Sequence, residues 1–346
     1  MDDVARLPAR ERADLFNEAG ARRGLATAII EKDFWVCWIL KRLFALPGDS
    51  PALIFKGGTS LSKAFGVIRR FSEDIDLSFD RHDLGYSGEH DPEIAASRKQ
   101  AARLVDDLVA DVQRHIAASL LPTLRDAIGA ELESIDTAWN LVIDRDDPQT
   151  VNFQYPVSLH GSDYARFAYV LPAVRLELGA RGDPWPAERR DIIAFAAEEF
   201  PALFKAPICT VMVLTAERTF WEKATILHAE FHRPTDKPFG AKLSRHYYDL
   251  AQLAQSDHGE RALAQLELLD SVARHKAIFF PSAWGHYGSA KPGTLRLVPP
   301  AGRRAALAAD YAAMRPMMFD ETPPRFTEII DVIAELERRI NGQPGS

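Results

Sequence analysis

The stretch Phe55-Lys56-Gly57-Gly58-Thr59-Ser60, followed by Ser72-Glu73-Asp74-Ile75-Asp76-Leu77, constrains this chain more than any other. A Gly-Gly-Thr-Ser turn sits at the end of a short apolar strand and opens directly into a helix. One helix later comes Asp-x-Asp within an apolar strand. Glycines let a backbone approach phosphates closely, and a helix start favours anions. Alternation along a strand puts Asp74 and Asp76 on one face, about 7 Å apart. Two carboxylates so placed suit Mg²⁺ ions bridged to phosphates. The order of elements points to an enzyme that handles a metal-bound nucleoside triphosphate and transfers a nucleotide.

A third acid on a neighbouring strand completes such a site. Glu177 is the candidate, because it lies between Leu176 and Leu178 on an apolar strand, where an acid is costly without a cation. Arg175 shares its strand face, so a plain ion pair is the competing reading. The metal set expected is therefore Asp74, Asp76 and Glu177. Gly57, Gly58, Thr59 and Ser60 are expected to hold the phosphates, Ser60 Oγ among the donors, with Lys56 and Lys63 secondary. Ser72 lies two residues before Asp74 and is expected to contact the nucleotide; its other reading is a cap or turn hydroxyl.

The helical periods predict helices over 9–24 and 28–45, the second with Ile29, Ile30, Phe34, Trp35, Trp38 and Ile39 on an apolar face. Ala52 to Phe55 and Glu73 to Phe79 read as strands, 59–65 as a helix and 81–92 as a loop. Leu104, Leu108, Val112 and Ile116 mark one long amphipathic helix over 93–120. Period-two alternation marks a strand over 151–159, a turn at His160 to Asp163, and further strand over 166–178. Residues 213–231, 242–254, 259–277, 303–315 and 325–340 read as helices. The expected class is α/β and bilobed: a mixed sheet with flanking helices over 1–205, then a mostly α-helical lobe over 206–346.

In that second half Glu217, Trp221, Glu222 and Lys223 share one helix, and Lys223 is either a phosphate cation or a surface lysine. Arg245 and Asp249 are four apart on one helix face, a spacing that also serves a simple helix ion pair. Lys242 lies a turn earlier and is a candidate for phosphate contact. Tyr247 and Tyr248 suit base stacking or the core. His228 and His232 have a zinc-compatible spacing but no third ligand nearby, so they read as a partly exposed helix face.

The 346 residues are 47% hydrophobic and carry a net charge of −7, which argues against a protein that coats nucleic acid non-specifically. Local basic character remains: no Asp or Glu occurs between Asp270 and Asp310, whereas Arg274, Lys276, Lys291, Arg296, Arg303 and Arg304 do. That imbalance fits either RNA contact or an ordinary surface. Cys37 and Cys209 lie in apolar segments and read as buried free thiols. The apolar runs are too short to span a bilayer and the N-terminus has no apolar signal core, so a cytoplasmic protein is expected. The tail 341–346 is expected to fray.

Lys56-Gly57-Gly58-Thr59-Ser60 and Asp74-Ile75-Asp76 resemble the signature of the DNA polymerase β-like nucleotidyltransferase superfamily. Within it, the chain resembles the AbiEii/AbiGii toxin family, which includes the MenT toxins. Ile30-Glu31-Lys32-Asp33-Phe34-Trp35-Val36, Ser72-Glu73-Asp74-Ile75-Asp76-Leu77, Glu217-Arg218-Thr219-Phe220-Trp221-Glu222-Lys223 and Arg245-His246-Tyr247-Tyr248-Asp249-Leu250 carry the likeness, over about residues 25–255. The resemblance implies a Mg²⁺-dependent toxin of phage-defence type that transfers NMP from an NTP to the 3′ end of tRNA. It implies catalytic roles for Lys223 and Asp249 beside the carboxylates, a phosphate or orienting role for Arg245, and an antitoxin, often with a winged helix-turn-helix. An alternative keeps the chemistry and changes the acceptor to a protein or small molecule, as in antibiotic adenylyltransferases.

Overall fold

The computed structural model describes residues 1–46, 48, 50–72, 74–132, 138–159, 164 and 171–342. The turn expected at 160–163, the strand start expected at 166–170, Glu73 and the end of the tail lie outside these residues. The chain forms two compact units: 1–64, 71–86 and 106–213 in the first, and 65–70, 87–105 and 214–346 in the second.

The first unit is built on a seven-stranded mixed sheet. Its strands are β1 (Leu53–Lys56), β2 (Asp74–Phe79), β3 (Asn140–Ile143), β4 (Thr150–Gln154), β5 (Val174–Gly179), β6 (Ala187–Ile192) and β7 (Cys209–Leu214), in the order β3-β4-β5-β2-β1-β7-β6. β2 runs antiparallel to β1 and parallel to β5. The ladder between β2 and β5 aligns Asp74 with Arg175 and Asp76 with Glu177. Along both strands the residues between these are buried: Ile75, Leu77, Leu176 and Leu178 are at most 1% exposed. The polar residues therefore share the opposite, half-open face.

Helix α1 (Asp2–Ala5) is a single turn, α2 spans Ala9–Arg23 and α3 spans Thr27–Leu43. Gly24, at φ 65°, stops α2 in the left-handed conformation that glycine adopts without strain. The amphipathic face expected for α3 proves to be the whole helix, because residues 28–40 are all buried. Trp35 stacks on Tyr155 and Trp38 on Phe153, with centroids 5.5 and 5.8 Å apart. Two charged residues caught in this interior are paired, Glu31 and Arg12. Glu31 accepts from Ser158 N at 2.6 Å and from the Tyr164 hydroxyl, and burial holds its carboxyl above the ordinary range. The fully buried Arg12 donates to Leu7 O, Ala5 O and Pro156 O. Cys37 and Cys209 are buried free thiols; burial raises both, Cys209 to about 12.

The second unit is mostly helical. Following α4 (Gly57–Lys63), α5 (Arg98–His115), α6 (Leu121–Leu132) and α7 (Phe195–Glu199) come α8 (Ala216–Phe231), α9 (Ser244–Ala254), α10 (Asp257–Leu263), α11 (Leu266–Phe279), α12 (Ala301–Ala313) and α13 (Phe326–Ile340). The last six belong to this unit, with the first turns of α5. The helix expected over 259–277 is two helices, and the long one over 93–120 starts at Arg98 and closes in a π-helical turn over Ile116–Leu120. Asp310 anchors the start of α9 by accepting from Lys242 N and Ser244 N at 2.7 and 2.8 Å. No helix among the described residues is long and apolar enough to cross a membrane.

Trp35→Ala removes a fully buried ring from the stack with Tyr155 and should cost about 3–5 kcal/mol, read as a lowered midpoint in urea unfolding of the full chain.

Candidate active site

The expected carboxylates come together on the half-open face of the first unit. Asp74 and Asp76 alternate on β2, and Glu177 sits beside Asp76 on β5. Adjacent strands lie about 4.8 Å apart, so Asp76 and Glu177 are neighbours. Glu177 Oε1 also meets Arg175 Nε at 3.2 Å, so the ion pair weighed as the competing reading is present too.

Gly57 follows β1 and has φ 80°. A Cβ on Gly57 would fall 1.9 Å from Asp76 Oδ2. The carboxylate thus packs directly against the glycine turn, and only a residue without a side chain leaves it room. Thr59 and Ser60 are buried, and their hydroxyls are spent inside the turn. Thr59 Oγ1 donates to Ser72 O and Asp74 O, tying α4 to the entry of β2. Ser60 Oγ donates to Gly57 O at 2.9 Å. In this arrangement the Ser60 hydroxyl braces the turn, whereas the sequence suggested a phosphate donor. Gly58 is buried in the first turn of α4, and Ser72 is half-buried just before β2. Lys56 pairs in register with Asp76, and its Nζ lies 3.1 Å from where a Cβ on Gly182 would stand. Lys63 is occupied elsewhere: it pairs with Asp33 at 2.7 Å and is 5% exposed.

The helical residues form a second constellation, within the second unit. Asp249 on α9 is fully buried. Arg70 grips it with both arms, Nε to Oδ1 at 2.7 Å and Nη2 to Oδ2 at 2.8 Å. Lys223 on α8 donates to Oδ2 at 2.8 Å. Burial alone would raise the Asp249 carboxyl; Arg70 and then Lys223 outweigh it and hold the group well below the usual carboxylate range. Lys223 is lowered, chiefly by burial, with Asp249 opposing and Arg70 reinforcing. Lys223 is thus neither a surface lysine nor free. Arg245, half-exposed on α9, adds to the positive field that lowers both Lys223 and the neighbouring His246. Lys242 has φ 62° in the turn that Asp310 anchors. Tyr247 and Tyr248 are both core residues, 1% exposed, so the stacking role falls away for each.

Arg70 escaped the sequence reading. Its one signal was position: Arg69-Arg70 stands immediately ahead of the aspartate strand, where Glu73 and Asp74 three and four residues on offer nearer partners than Asp249. The histidine pair also differs from expectation, since His228 is fully buried rather than part of an exposed face. Arg296 N donates to its Nδ1 at 3.0 Å, which leaves Nε2–H to donate to His286 O or Ser289 Oγ. Burial brings its pKa down to about 4. Both ring nitrogens are engaged, which removes it as a zinc ligand.

Two outcomes follow. Asp249→Asn strands two buried cations and should cost about 3–5 kcal/mol at neutral pH. Because the folded Asp249 carboxyl is depressed, its contribution is complete above about pH 4 and is lost as pH falls below that. Urea unfolding of both proteins should show a constant gap down to about pH 4 that then narrows. Gly57→Ala meets both an unfavourable φ and the Asp76 carboxylate, and should lower stability by more than about 1 kcal/mol in the same measurement.

Residues 38–332 match the family described as "Nucleotidyl transferase AbiEii toxin, Type IV TA system". No curated protein sequence matches the chain. Among solved structures, it is similar to MenT4, a nucleotidyltransferase toxin from Mycobacterium tuberculosis H37Rv, at 16% identity and a TM-score of 0.44, over 94% of this chain and 98% of that one. It is also similar to JHP933 from Helicobacter pylori, at 13% identity and a TM-score of 0.41, over 91% and 94%. With most of its length matched by the family, the chain belongs to the AbiEii nucleotidyltransferase toxins of type IV toxin–antitoxin systems.

Proposed function

We propose that this toxin transfers an NMP from an NTP to the 3′ end of tRNA in a Mg²⁺-dependent reaction, in the cytoplasm, under the control of a cognate antitoxin. The observation that carries the reading is the packing of the Asp76 carboxylate against Gly57, with Glu177 in register beside it and Asp74 two residues away. A glycine turn and a set of hard oxygen donors then share one half-open face. The donor set fits Mg²⁺: three carboxylates, all oxygen ligands, none sealed in the core. Arg175 sits where it balances Glu177 and would yield to a divalent cation. Bound there, Mg²⁺ supplies charge to the triphosphate and lowers the pKa of an attacking hydroxyl.

In the proposed step the 3′-oxygen of the RNA bonds to the α-phosphorus. The bond from that phosphorus to the bridging oxygen of the β-phosphate breaks, pyrophosphate leaves, and the hydroxyl proton is released. Gly57 and Gly58 offer backbone N–H groups to the phosphates. Lys223 is the proposed phosphate cation, with Arg70 and Asp249 setting its position and Arg245 and Lys242 adding positive charge.

The test incubates purified protein with Mg²⁺, each α-³²P-labelled NTP in turn and total tRNA, with Asp76→Asn alongside. Label should appear on tRNA with the wild type and fall at least about a hundredfold with the variant, while its thermal melt is retained. Label on protein or on a small molecule, with none on RNA, would replace the acceptor; undiminished labelling by Asp76→Asn would sink the metal assignment.

A further inference from the structure

The second unit contains a cleft of about 420 Å³ between the first turns of α5 and the end of α11 with its following turn. We infer that this cleft is a docking site for a single-stranded nucleotide of the RNA acceptor, the base lying against Tyr287 and the phosphate meeting Arg98. The inference rests on the reading of RNA as the acceptor.

The volume is in the range of small-ligand sites. Ala101, Ala277 and Ile278 give a small, apolar floor, and Arg98, His286 and Tyr287 stand around it. Such a mixture suits a base and its phosphate: a flat apolar surface for the ring, an aromatic face to stack on, and a cation at the edge.

Charge favours an anionic occupant. One wall belongs to residues 94–105 and the other to 271–309, and neither stretch contains an Asp or Glu in a chain of net charge −7. Glu93, just ahead of the first stretch, is held by His275 Nδ1 at 2.9 Å. Helix α5 opens on Arg98-Lys99 with no acid in its first turn. Cations there oppose the helix dipole, so the placement costs stability that a nearby anion would offset. The acid-free segment noted in the sequence thus forms one side of a built cavity.

Backbone geometry fixes the aromatic wall. His286 is held at φ 46° and ψ 29°, a region few residues other than glycine occupy. Its ring stacks on His232 with centroids 4.3 Å apart. Tyr287 lies over Gly285, where a Cβ would come within 2.7 Å of its ring. The ring is therefore positioned before any ligand arrives, which reduces the ordering cost of stacking.

The experiment measures binding of a short fluorescein-labelled, single-stranded oligoribonucleotide to the full chain by anisotropy at several salt concentrations. It also measures KM for total tRNA and for NTP in the transfer assay. Tyr287→Ala should weaken RNA binding about tenfold, and Tyr287→Phe should restore it. Arg98→Ala should weaken binding and reduce the salt slope by about one. Both effects should appear in KM for tRNA, with KM for NTP and the thermal melt unchanged. Wild-type affinity in both Tyr287→Ala and Arg98→Ala, or a wild type that binds no oligoribonucleotide, overturns the docking site. Failure of the acceptor reading looks different: the wild type then labels no tRNA, whatever the variants do.

Discussion

Strand β2 lies between β5 and β1, and the placement of the carboxylates in the first unit depends on that position. A strand flanked on both sides has its backbone groups satisfied, so its two faces are free to differ completely. Ile75 and Leu77 bury one face, and alternation then forces Asp74 and Asp76 onto the other. A slip of one residue would put two carboxylates into the core. The energy that holds the aspartates in place therefore comes from the apolar residues between them. The neighbouring strand repeats the logic, with Leu176 and Leu178 fixing Glu177.

The buried Asp249 cluster is held by a different balance. Among the described residues, Arg70 and Lys223 both hold the Asp249 carboxylate in an enclosed place, so no member can be removed without exposing another's desolvation cost. Such clusters contribute little net stability compared with apolar packing, yet they fix geometry. Arg70's two-armed grip orients the carboxylate, and the carboxylate in turn orients Lys223. The lysine's position is thus set from a segment far away in sequence.

The placement of the carboxylates on β2 was legible because its signals are local: glycines beside a strand, and acids at period two. Glu177 was legible because an acid among leucines is conspicuous. Arg70 was not, since its partner lies 179 residues along the chain and no pattern joins them. Among the strands, β6 was missed because an edge strand reading Ala-Glu-Arg-Arg-Asp-Ile lacks alternation. β7 was absorbed into the following helix at its last residues, because a continuous apolar run fits either element. The strand read as 151–159 stops at Gln154, shortly before Pro156 ends the ladder's supply of donors. The fate of Thr59 and Ser60 was invisible for another reason: hydroxyls that cap or brace a turn look the same in sequence as hydroxyls that bind phosphate.

The chain passes from one compact unit to the other at 64/65, 70/71, 86/87, 105/106 and 213/214. Neither unit is a contiguous stretch of gene. No single break in the gene separates them cleanly: a stop after 213 keeps every residue of the first unit but leaves 65–70 and 87–105 of the second behind. Neither unit can therefore be moved to another gene as one continuous segment without carrying part of the other with it.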